Sequence, residues 1–359
     1  MIASGWATRN NWRPARRGSA LTLVALALAL GVWGISASSS AHASSASAGG
    51  AQLAQSVKGK TVIAVMASSS NDPWSAAANS TWAAIIQKAG AKFTLLQNPV
   101  SVTEQATQVN EAIAQHPNLL VINIYDTNEI IPLLEKAKAA GIPVLDWNAG
   151  LNATALKLVV SEINSNNTQQ GAIAGQLMVQ GLEKAGYTKA NVLAETGTAA
   201  SAIVQERMVA FKAQLAKHPG YKLVASEDAN WNSVTAGTQA TQVLSAWKAK
   251  GGIQGAFGMA DYMALPIATD AKALGIPVGW TKPGDLVLVA SNCTAAGAVA
   301  VKNGTLFGMA DQLPIPQATI GANTALQFLA GKTVPKSIVT PVHEINQQNA
   351  AEYVKKCNY

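Results

Sequence analysis

Cysteine, histidine and charged side chains are all scarce in this chain. Its 359 residues include two cysteines and four histidines, and only 13% of the residues are charged. The histidines are scattered, and no Cys–His or His–His pair has the spacing of metal ligands, so we expect no metal site. Cys293 and Cys357 can form one disulfide if the chain is exported, and that bond would hold the C-terminal tail.

Motifs of the common cofactor and hydrolase classes are also missing. The sequence contains no G-x-G-x-x-G, no Walker A loop, no G-x-S-x-G elbow and no H-E-x-x-H. We therefore expect no bound cofactor and no catalysis. Carboxylates do follow several predicted strands, so a glycoside-hydrolase pair formed by Asp72 and Asp146 stays open as an alternative.

The excess of positive charge is concentrated at one end of the chain. The formal net charge is +7, but the first 43 residues contain four arginines and no acidic residue. The remaining chain has 22 basic and 19 acidic residues, a net charge of +3. This balance predicts no nucleic-acid-binding surface. An apolar content of 49% and the length of the chain indicate a globular protein with two domains.

The N-terminus has the three parts of a secretory signal. A basic region ends in "RPARRGSA", an apolar stretch covers Leu21–Ile35, and small residues at Ala41 and Ala43 suit cleavage after Ala43. We predict a signal peptide over 1–43 and a flexible linker over 44–57. The apolar stretch is shorter than the roughly 20 residues of a membrane-spanning helix, although an uncleaved anchor is the alternative.

From residue 58 onward, short strand-like runs alternate with Ala-rich stretches of helical periodicity. Lys60–Ala67 is a predicted strand, Pro73–Lys88 is a predicted helix, and Lys157–Ile163 is the predicted last strand of a first block. The same alternation restarts with a predicted helix over Thr168–Ala185. Because strands that alternate with helices form parallel sheets covered on both faces, the two runs predict two doubly wound α/β lobes.

Polar and tryptophan side chains follow the predicted strands. In open α/β sheets, ligands bind beyond the carboxyl ends of the strands. Trp74, Trp147 and Trp231 all lie at such ends, together with acidic and amide residues. A flat aromatic ring stacks on the apolar face of a sugar while a carboxylate or amide binds its hydroxyls. The strand ends therefore predict a sugar-binding cleft, with core packing of Trp147 as an alternative.

A family resemblance is carried by seven segments, in this order: "SNDPW", "LLVINIYDTN", "AGIPVLDWN", "VVSEINSNNTQQGAIAG", "ASAIVQERMVAF", "MADYMALPIATDAKALG" and "ADQLPIPQATIGA". With these segments the chain resembles the type I periplasmic solute-binding proteins of sugar ABC transporters, the ribose-binding-protein class. The likeness extends from Lys58 to about His343.

The resemblance implies two Rossmann-like lobes joined by a three-segment hinge that close on a ligand. It places the hinge crossings near Ile163–Asn166, Asp311–Pro314 and Thr340–His343. The implied lobes are an N-terminal lobe of 58–163 plus 313–340 and a C-terminal lobe of 164–312 plus 341–359. It further implies a monomer outside the cytoplasmic membrane, periplasmic or at the cell surface, whose closed form docks on a membrane permease.

The resemblance also implies a set of ligand-binding residues. Asp146 falls at the sugar-gripping Asp of the family, and Arg207 falls at an Arg of the second lobe that could pair with it. Trp231 falls opposite Trp74 as a second stacking ring. The full expected set is Asn71, Asp72, Trp74, Asn123, Asp146, Trp147, Arg207, Trp231, Ala260, Asp261, Asn292 and Gln312. Asp261 is equally well interpreted as a helix N-cap.

Three positions depart from the ribose-binding pattern. Trp147 stands where the ribose binder has an Arg, Ala260 where it has an Asn, and Asn292 where it has an Asp. These differences argue against ribose itself and favour another neutral ligand, such as a hexose, a deoxysugar or a polyol. Two further interpretations stay open, a ligand-sensing receptor of the rhamnose or autoinducer type and the secreted hydrolase described above.

Overall fold

The computed structural model describes residues 52–67 and 72–359. The predicted signal peptide, Asn71 and the start of the predicted linker lie outside this part of the chain. Residues 52–57 are helical, and Val57 is fully buried in the core of the first sheet. This end of the predicted flexible linker is therefore part of the packed structure.

After the helical residues 52–57, twelve strands and eleven further α-helices alternate along the described residues. The strands are β1 (Thr61–Ala67), β2 (Lys92–Asn98), β3 (Leu119–Ile122), β4 (Val144–Trp147), β5 (Ser161–Ser165), β6 (Ala190–Thr196), β7 (Tyr221–Asp228), β8 (Gly255–Gly258), β9 (Val287–Ser291), β10 (Gly308–Ala310), β11 (Ser337–Thr340) and β12 (Glu344–Ile345). The helices are α1 (Pro73–Lys88), α2 (Val102–Ala114), α3 (Ile131–Ala139), α4 (Ala153–Leu158), α5 (Asn167–Lys184), α6 (Ala202–Leu215), α7 (Ser233–Trp247), α8 (Asp261–Ala273), α9 (Ala295–Lys302), α10 (Pro314–Leu329) and α11 (Ala350–Lys356).

The strands form two six-stranded sheets. The order in the first is β11-β5-β4-β3-β1-β2, and the order in the second is β12-β10-β9-β8-β6-β7. All neighbouring strands run parallel except β10 and β12, which pair antiparallel. We call each sheet with its covering helices a lobe, the N-terminal lobe for the first sheet and the C-terminal lobe for the second. This is the predicted α/β class with two doubly wound lobes.

Within the described residues, the chain passes between the sheets three times, after β5, after β10 and after β11. The last two passages are joined by Asp311 and His343. The Asp311 backbone N–H donates to the His343 carbonyl at 2.8 Å, and the His343 N–H donates to the Asp311 carboxylate at 2.7 Å. The Tyr353 hydroxyl of α11 donates to the same carboxylate at 3.0 Å.

Caps at the strand ends set where the cleft-side helices begin. Asp72 accepts a hydrogen bond from the Ser75 N–H, and Pro73 follows it in the first turn of α1. Asn232 caps α7 and Asn152 caps α4 in the same way. The predicted strand over Lys157–Ile163 is wrong at its start, because the helix that Asn152 caps continues to Leu158.

Buried apolar side chains cover both faces of each sheet. One cluster, on the α1 and α10 side of the first sheet, contains Trp74, Trp82 and Trp147. It continues without interruption into the C-terminal lobe through Ala260 and Tyr262. The two lobes are therefore in contact beside the cleft in this structure.

Candidate functional site

The candidate site is a cavity between the carboxyl ends of the two sheets, where the topology predicts a ligand. The cavity has a volume of about 50 Å³, a few times what one water molecule needs. The cavity therefore suits one small molecule. Residues of both lobes and of the segment between β10 and α10 line it: Ala67, Asp72, Trp74, Ser75, Val100, Asn123, Ile124, Tyr125, Asn148, Thr198, Ser201, Ile203, Arg207, Trp231, Tyr262, Asn292 and Gln312.

Seven of the predicted site residues line this cavity. They are Asp72, Trp74, Asn123, Arg207, Trp231, Asn292 and Gln312. Four others do not line it, namely Asp146, Trp147, Ala260 and Asp261. Asn71 lies outside the described residues. Six cavity residues outside the predicted set also carry a polar group: Ser75, Tyr125, Asn148, Thr198, Ser201 and Tyr262.

Arg207 is the central cation of the cavity wall, and its side chain is almost fully buried. Its Nε donates to Asn167 Oδ1 at 3.1 Å, and its Nη2 donates to Gln312 Oε1 at 2.7 Å. Nη1 makes longer bonds, of 3.4 Å to Asn292 Oδ1 and 3.5 Å to the Met259 carbonyl. Burial lowers the pKa of Arg207 to about 9, so the guanidinium stays charged at neutral pH.

No carboxylate forms a salt bridge with Arg207 among the described residues. The predicted pairing of Arg207 with Asp146 is therefore wrong. Asp146 lies within the β-ladder, opposite Ile122 of β3 and Glu162 of β5. It is fully buried, and neither carboxylate oxygen has a hydrogen-bond partner in the described part of the chain. Burial and the nearby Glu162 carboxylate raise its pKa well above the ordinary value.

Asn148 takes the place in the cavity wall that was expected for Asp146. It is the first residue after β4, so its side chain lies beyond the edge of the sheet. Its Oδ1 accepts hydrogen bonds from Gln312 Nε2 at 2.6 Å and from Gln317 Nε2 at 3.2 Å. Because the side chains of a strand alternate, Asp146 and Trp147 point to opposite faces of the sheet and neither points along the strand into the cleft.

Trp74 and Trp147 are neighbours, but only Trp74 reaches the cavity. Their rings stack with centroids 6.1 Å apart, and the Trp147 ring meets Trp82 edge to face at 5.4 Å. Trp147 is 2% exposed and lies behind Trp74 as core packing, the alternative considered for it from the sequence. The Trp74 Nε1–H donates to the Gln312 carbonyl at 2.9 Å, which ties the indole to the segment between β10 and α10.

Trp231 lines the cavity from the loop after β7 in the C-terminal lobe. Its backbone is in the left-handed region, with φ of 57°. The ring lies directly over Gly197, where an added Cβ would be 1.9 Å from Trp231 Cε2. The Arg207 guanidinium carbon lies 5.6 Å from the ring centroid. A glycine with no side chain and a buried cation thus position this indole.

Asp72 and Asn123 supply acceptors on the N-terminal lobe. Both Asp72 oxygens accept hydrogen bonds from Ser75, one from its N–H and one from its hydroxyl. Burial raises the pKa of Asp72, while bonds from Ser75 and the Tyr262 hydroxyl act in the opposite direction. Asn123 donates through Nδ2 to the carbonyls of Trp147 and Asn148 at 3.0 and 2.9 Å. Its Oδ1 is left to accept from a ligand.

Ala260 and Asp261 have structural contacts instead of cavity contacts. Ala260 is the buried residue at the N-cap of α8, and Asp261 is the first residue of that helix. Asp261 Oδ2 accepts from the N–H and from the hydroxyl of Thr294, both at 2.6 Å. Burial raises the pKa of Asp261 to about 6. This carboxylate therefore joins α8 to the cap of α9, beneath the cavity wall.

The structure joins Cys293 and Cys357 in a disulfide, with Cα atoms 5.6 Å apart. Cys293 directly follows Asn292 of the cavity wall, so the bond ties this loop to the C-terminal tail. Within residues 52–67 and 72–359, no group of His, Cys, Asp and Glu side chains is arranged to hold a metal ion. In the same residues, no helix has the length and apolarity needed to cross a membrane.

Comparison with known proteins agrees with this fold. A family model described as periplasmic binding protein domain matches residues 63–333. The ribose import binding protein of Escherichia coli (strain K12) is 26% identical over 285 residues, which cover 79% of this chain and 90% of that protein. A xylitol-binding protein of Mycolicibacterium smegmatis is 25% identical and covers 70% of this chain and 69% of its own length. The crystal structure of a galactofuranose binding protein superposes with a TM-score of 0.76 at 17% identity, covering 83% of this chain and 98% of that one.

Proposed function

The chain belongs to the periplasmic binding protein domain family, and from this membership we propose that it binds a neutral sugar or polyol between its lobes, outside the cytoplasmic membrane, and delivers it to the permease of an ABC importer. The relatives named for ribose import and for xylitol binding support this ligand class. The signal-like N-terminal sequence supports export.

One observation carries the proposal. Two indoles from opposite lobes, Trp74 and Trp231, line one small cavity together with amide, hydroxyl and guanidinium groups. Indole faces bind the C–H surface of a sugar ring, and the polar groups bind its hydroxyls. The cavity wall contains one basic side chain, Arg207, and one acidic side chain, Asp72. Their opposite charges balance, which favours an uncharged ligand.

The proposed mechanism is closure of the lobes on the ligand. The hinge segments are those that the family resemblance implies, near Ile163–Asn166, Asp311–Pro314 and Thr340–His343. Gln312 lies in the second of them and contacts both lobes, because it accepts from Arg207 and donates to Asn148. A ligand that adds contacts to both walls shifts the population toward the closed state, which is the form proposed to dock on the permease.

The hydrolase alternative loses its support in this geometry. A glycoside hydrolase needs two carboxyl groups that face the same bond. Asp72 lines the cavity, whereas Asp146 lies in the β-ladder and does not reach it. We therefore do not propose catalysis for this cavity.

The function is tested by a thermal-shift and calorimetric screen of the mature chain with pentoses, hexoses, deoxysugars and polyols. A ligand at about 100 times its Kd adds about 2.7 kcal/mol of stability, which such a screen detects. We expect at least one uncharged sugar or polyol to stabilise the chain, without conversion of aryl glycosides. No response to any of them, or turnover of a glycoside, would overturn the proposal.

A further inference from the structure

Two consecutive residues of the loop after β7 have left-handed backbones. Asn230 has a φ of 48° and Trp231 has a φ of 57°. This region costs free energy for a residue with a Cβ, most of all for a bulky one, and glycine is the residue that usually occupies it. Such a conformation persists only where neighbouring groups hold it. Because Trp231 lines the cavity, the groups that hold this loop also determine the cavity wall.

The carboxylate of Asp228 binds this loop and the loop beside it. Its Oδ1 accepts a hydrogen bond from the Asn230 N–H at 2.8 Å, within the loop after β7. Its Oδ2 accepts from the Ala199 N–H at 2.9 Å, in the loop after β6. Asp228 is the last residue of β7 and does not line the cavity. One carboxylate outside the cavity therefore joins the two loops of the C-terminal lobe.

A second side-chain bond joins the same two loops. The Thr198 hydroxyl donates to Asn230 Oδ1 at 2.6 Å. The Trp231 ring lies directly over Gly197, in the loop to which these bonds attach. The loop after β6 thus supports the indole, while Asp228 and Thr198 hold the backbone from which the indole extends.

Resting on the proposed binding function, we propose that Asp228 is a positioning residue of the ligand cavity. Its two hydrogen bonds keep Asn230 and Trp231 in the left-handed conformation and hold the indole over Gly197, so the aromatic wall of the C-terminal lobe is in place before a ligand binds. A preformed wall spares the ligand the free-energy cost of ordering the loop. Without the carboxylate the loop relaxes, and the apparent affinity falls with the fraction of chains that keep the wall.

The test uses Asp228→Ala, which deletes both bonds, and Asp228→Asn, which keeps one side-chain oxygen as an acceptor. Asp285→Ala is the control. Asp285 accepts from the N–H and the hydroxyl of Thr281 at 2.8 and 2.9 Å, and it precedes β9, at the end of the sheet opposite the cavity. Wild type is first titrated calorimetrically with D-ribose, D-allose, L-arabinose, D-tagatose, xylitol and myo-inositol. The tightest binder is then titrated into each variant, into Trp231→Ala and into the double variants of Asp228 and Trp231.

We expect D228A to weaken the tightest binder by about tenfold and D228N by about threefold, as fewer chains keep the indole in the cavity wall. In the W231A background, D228A should change affinity by less than about twofold, because the ring that Asp228 positions is already gone. D285A should lower the melting temperature and leave affinity unchanged, since it removes carboxylate bonds far from the cavity.

A second measurement follows the ring in the absence of ligand. The proteins are labelled with fluorotryptophan, and the fluorine NMR resonance of Trp231 is assigned as the one missing from Trp231→Phe. We expect this resonance to shift or broaden in D228A and D228N, while that of Trp82, which is buried in the N-terminal lobe, stays in place. D285A should leave the Trp231 resonance unchanged.

Equal affinity of D228A and wild type, or an unmoved Trp231 resonance, would overturn the inference and leave the proposed function standing. An equally large loss of affinity in the W231A background would show that Asp228 acts by another route and would also overturn it. If D228A does not fold, D228N supplies the same comparisons. No binding of any of the six compounds by wild type would count against the proposed function itself, and the fluorine spectra would still decide whether Asp228 positions the indole.

Discussion

Arg207 of the C-terminal lobe donates from Nη2 to Gln312 Oε1 across 2.7 Å, and Gln312 donates in turn to Asn148 of the N-terminal lobe across 2.6 Å. This chain of bonds links the cavity walls of both lobes through Gln312, which lies between β10 and α10. All three residues line the cavity. Under the proposed function the ligand shares this network with the lobes, so we expect a change in it to alter ligand binding and lobe closure together.

Arg207→Ala should abolish ligand-induced stabilisation. The substitution deletes the buried cationic donor and leaves Gln312 Oε1 without its partner, and truncation of a buried charged contact of this kind costs about 2–5 kcal/mol. We expect affinity to fall by about 100-fold or more in calorimetry, while circular dichroism shows a folded chain. Lys212→Ala, an exposed position on the same helix, is the control and should bind like wild type. If R207A bound the ligand as tightly as wild type does, the ligand would not bind in this cavity.

Asp146→Asn should leave affinity unchanged and make the protein more stable at neutral pH. Because the folded-state pKa of this carboxyl is raised, the protonated form favours folding, and that contribution is lost as pH rises above the unfolded value of 3.8. We expect D146N to be more stable than wild type in urea unfolding at pH 7, with the difference shrinking towards pH 4. Asn148→Ala is the matched comparison and should weaken ligand binding about tenfold. Loss of binding in D146N would restore Asp146 to the site.

The contrast between Asp146 and Asn148 shows where prediction from the sequence stops. The alternation of strands and helices indicates two parallel sheets, and the carboxyl ends of the strands indicate the cleft. The residue at which a strand ends depends on its pairing with the neighbouring strands, which the local sequence does not show. Pairing with β5 extends β4 as far as Trp147. A shift of two residues along β4 therefore separates the predicted acid from the amide that lines the cavity.

The packing of Trp147 could not be predicted from the local sequence either. Its burial depends on Trp82 and on Gly321, where an added Cβ would lie 3.2 Å from the indole. Both positions are far away in the sequence. Short edge strands escape prediction for a related reason, since β11 and β12 have four and two residues and carry no clear alternation.

Glu195→Gln should remove a pH dependence of stability. Glu195 of β6 is fully buried, its oxygens have no partner among the described residues, and it lies in register with Glu227 of β7. Burial, with a contribution from Glu227, raises its pKa from 4.5 to about 8. The protonated form is favoured in the folded state, so wild type loses this stabilisation as pH rises from 4.5 to 8 and no further above that.

Urea unfolding at several pH values tests this statement. E195Q and wild type should differ little at pH 4 and by about 1–3 kcal/mol, in favour of E195Q, above pH 8. Glu111→Gln, at an exposed position of α2, should follow wild type at every pH. Parallel stability curves for E195Q and wild type would mean that Glu195 ionises normally in the folded chain.

Gly197→Ala should weaken ligand binding through Trp231 alone. The new methyl group would overlap the indole, which must leave its place in the cavity wall. We expect calorimetry to show a loss of about tenfold or more, similar to the loss in Trp231→Ala. In the double variant, G197A should add almost nothing to W231A, because the ring that it displaces is already gone. Additive losses would show that Gly197 acts on the cavity by another route.

Loss of the disulfide should lower the free energy of unfolding. A reducing agent should lower it in wild type by a similar amount. Cys293 and Cys357 are 64 residues apart in the sequence, and closing a loop of that length restricts the unfolded chain by about 4 kcal/mol in the entropic description. We expect Cys293→Ser with Cys357→Ser to lower the free energy of unfolding by about 2–4 kcal/mol in urea. Dithiothreitol should destabilise wild type by a similar amount and leave the double variant unchanged. Equal stability of oxidised wild type and the double variant would mean that the tail is held by its other contacts, among them the hydrogen bond from the Tyr359 hydroxyl to the Cys293 carbonyl.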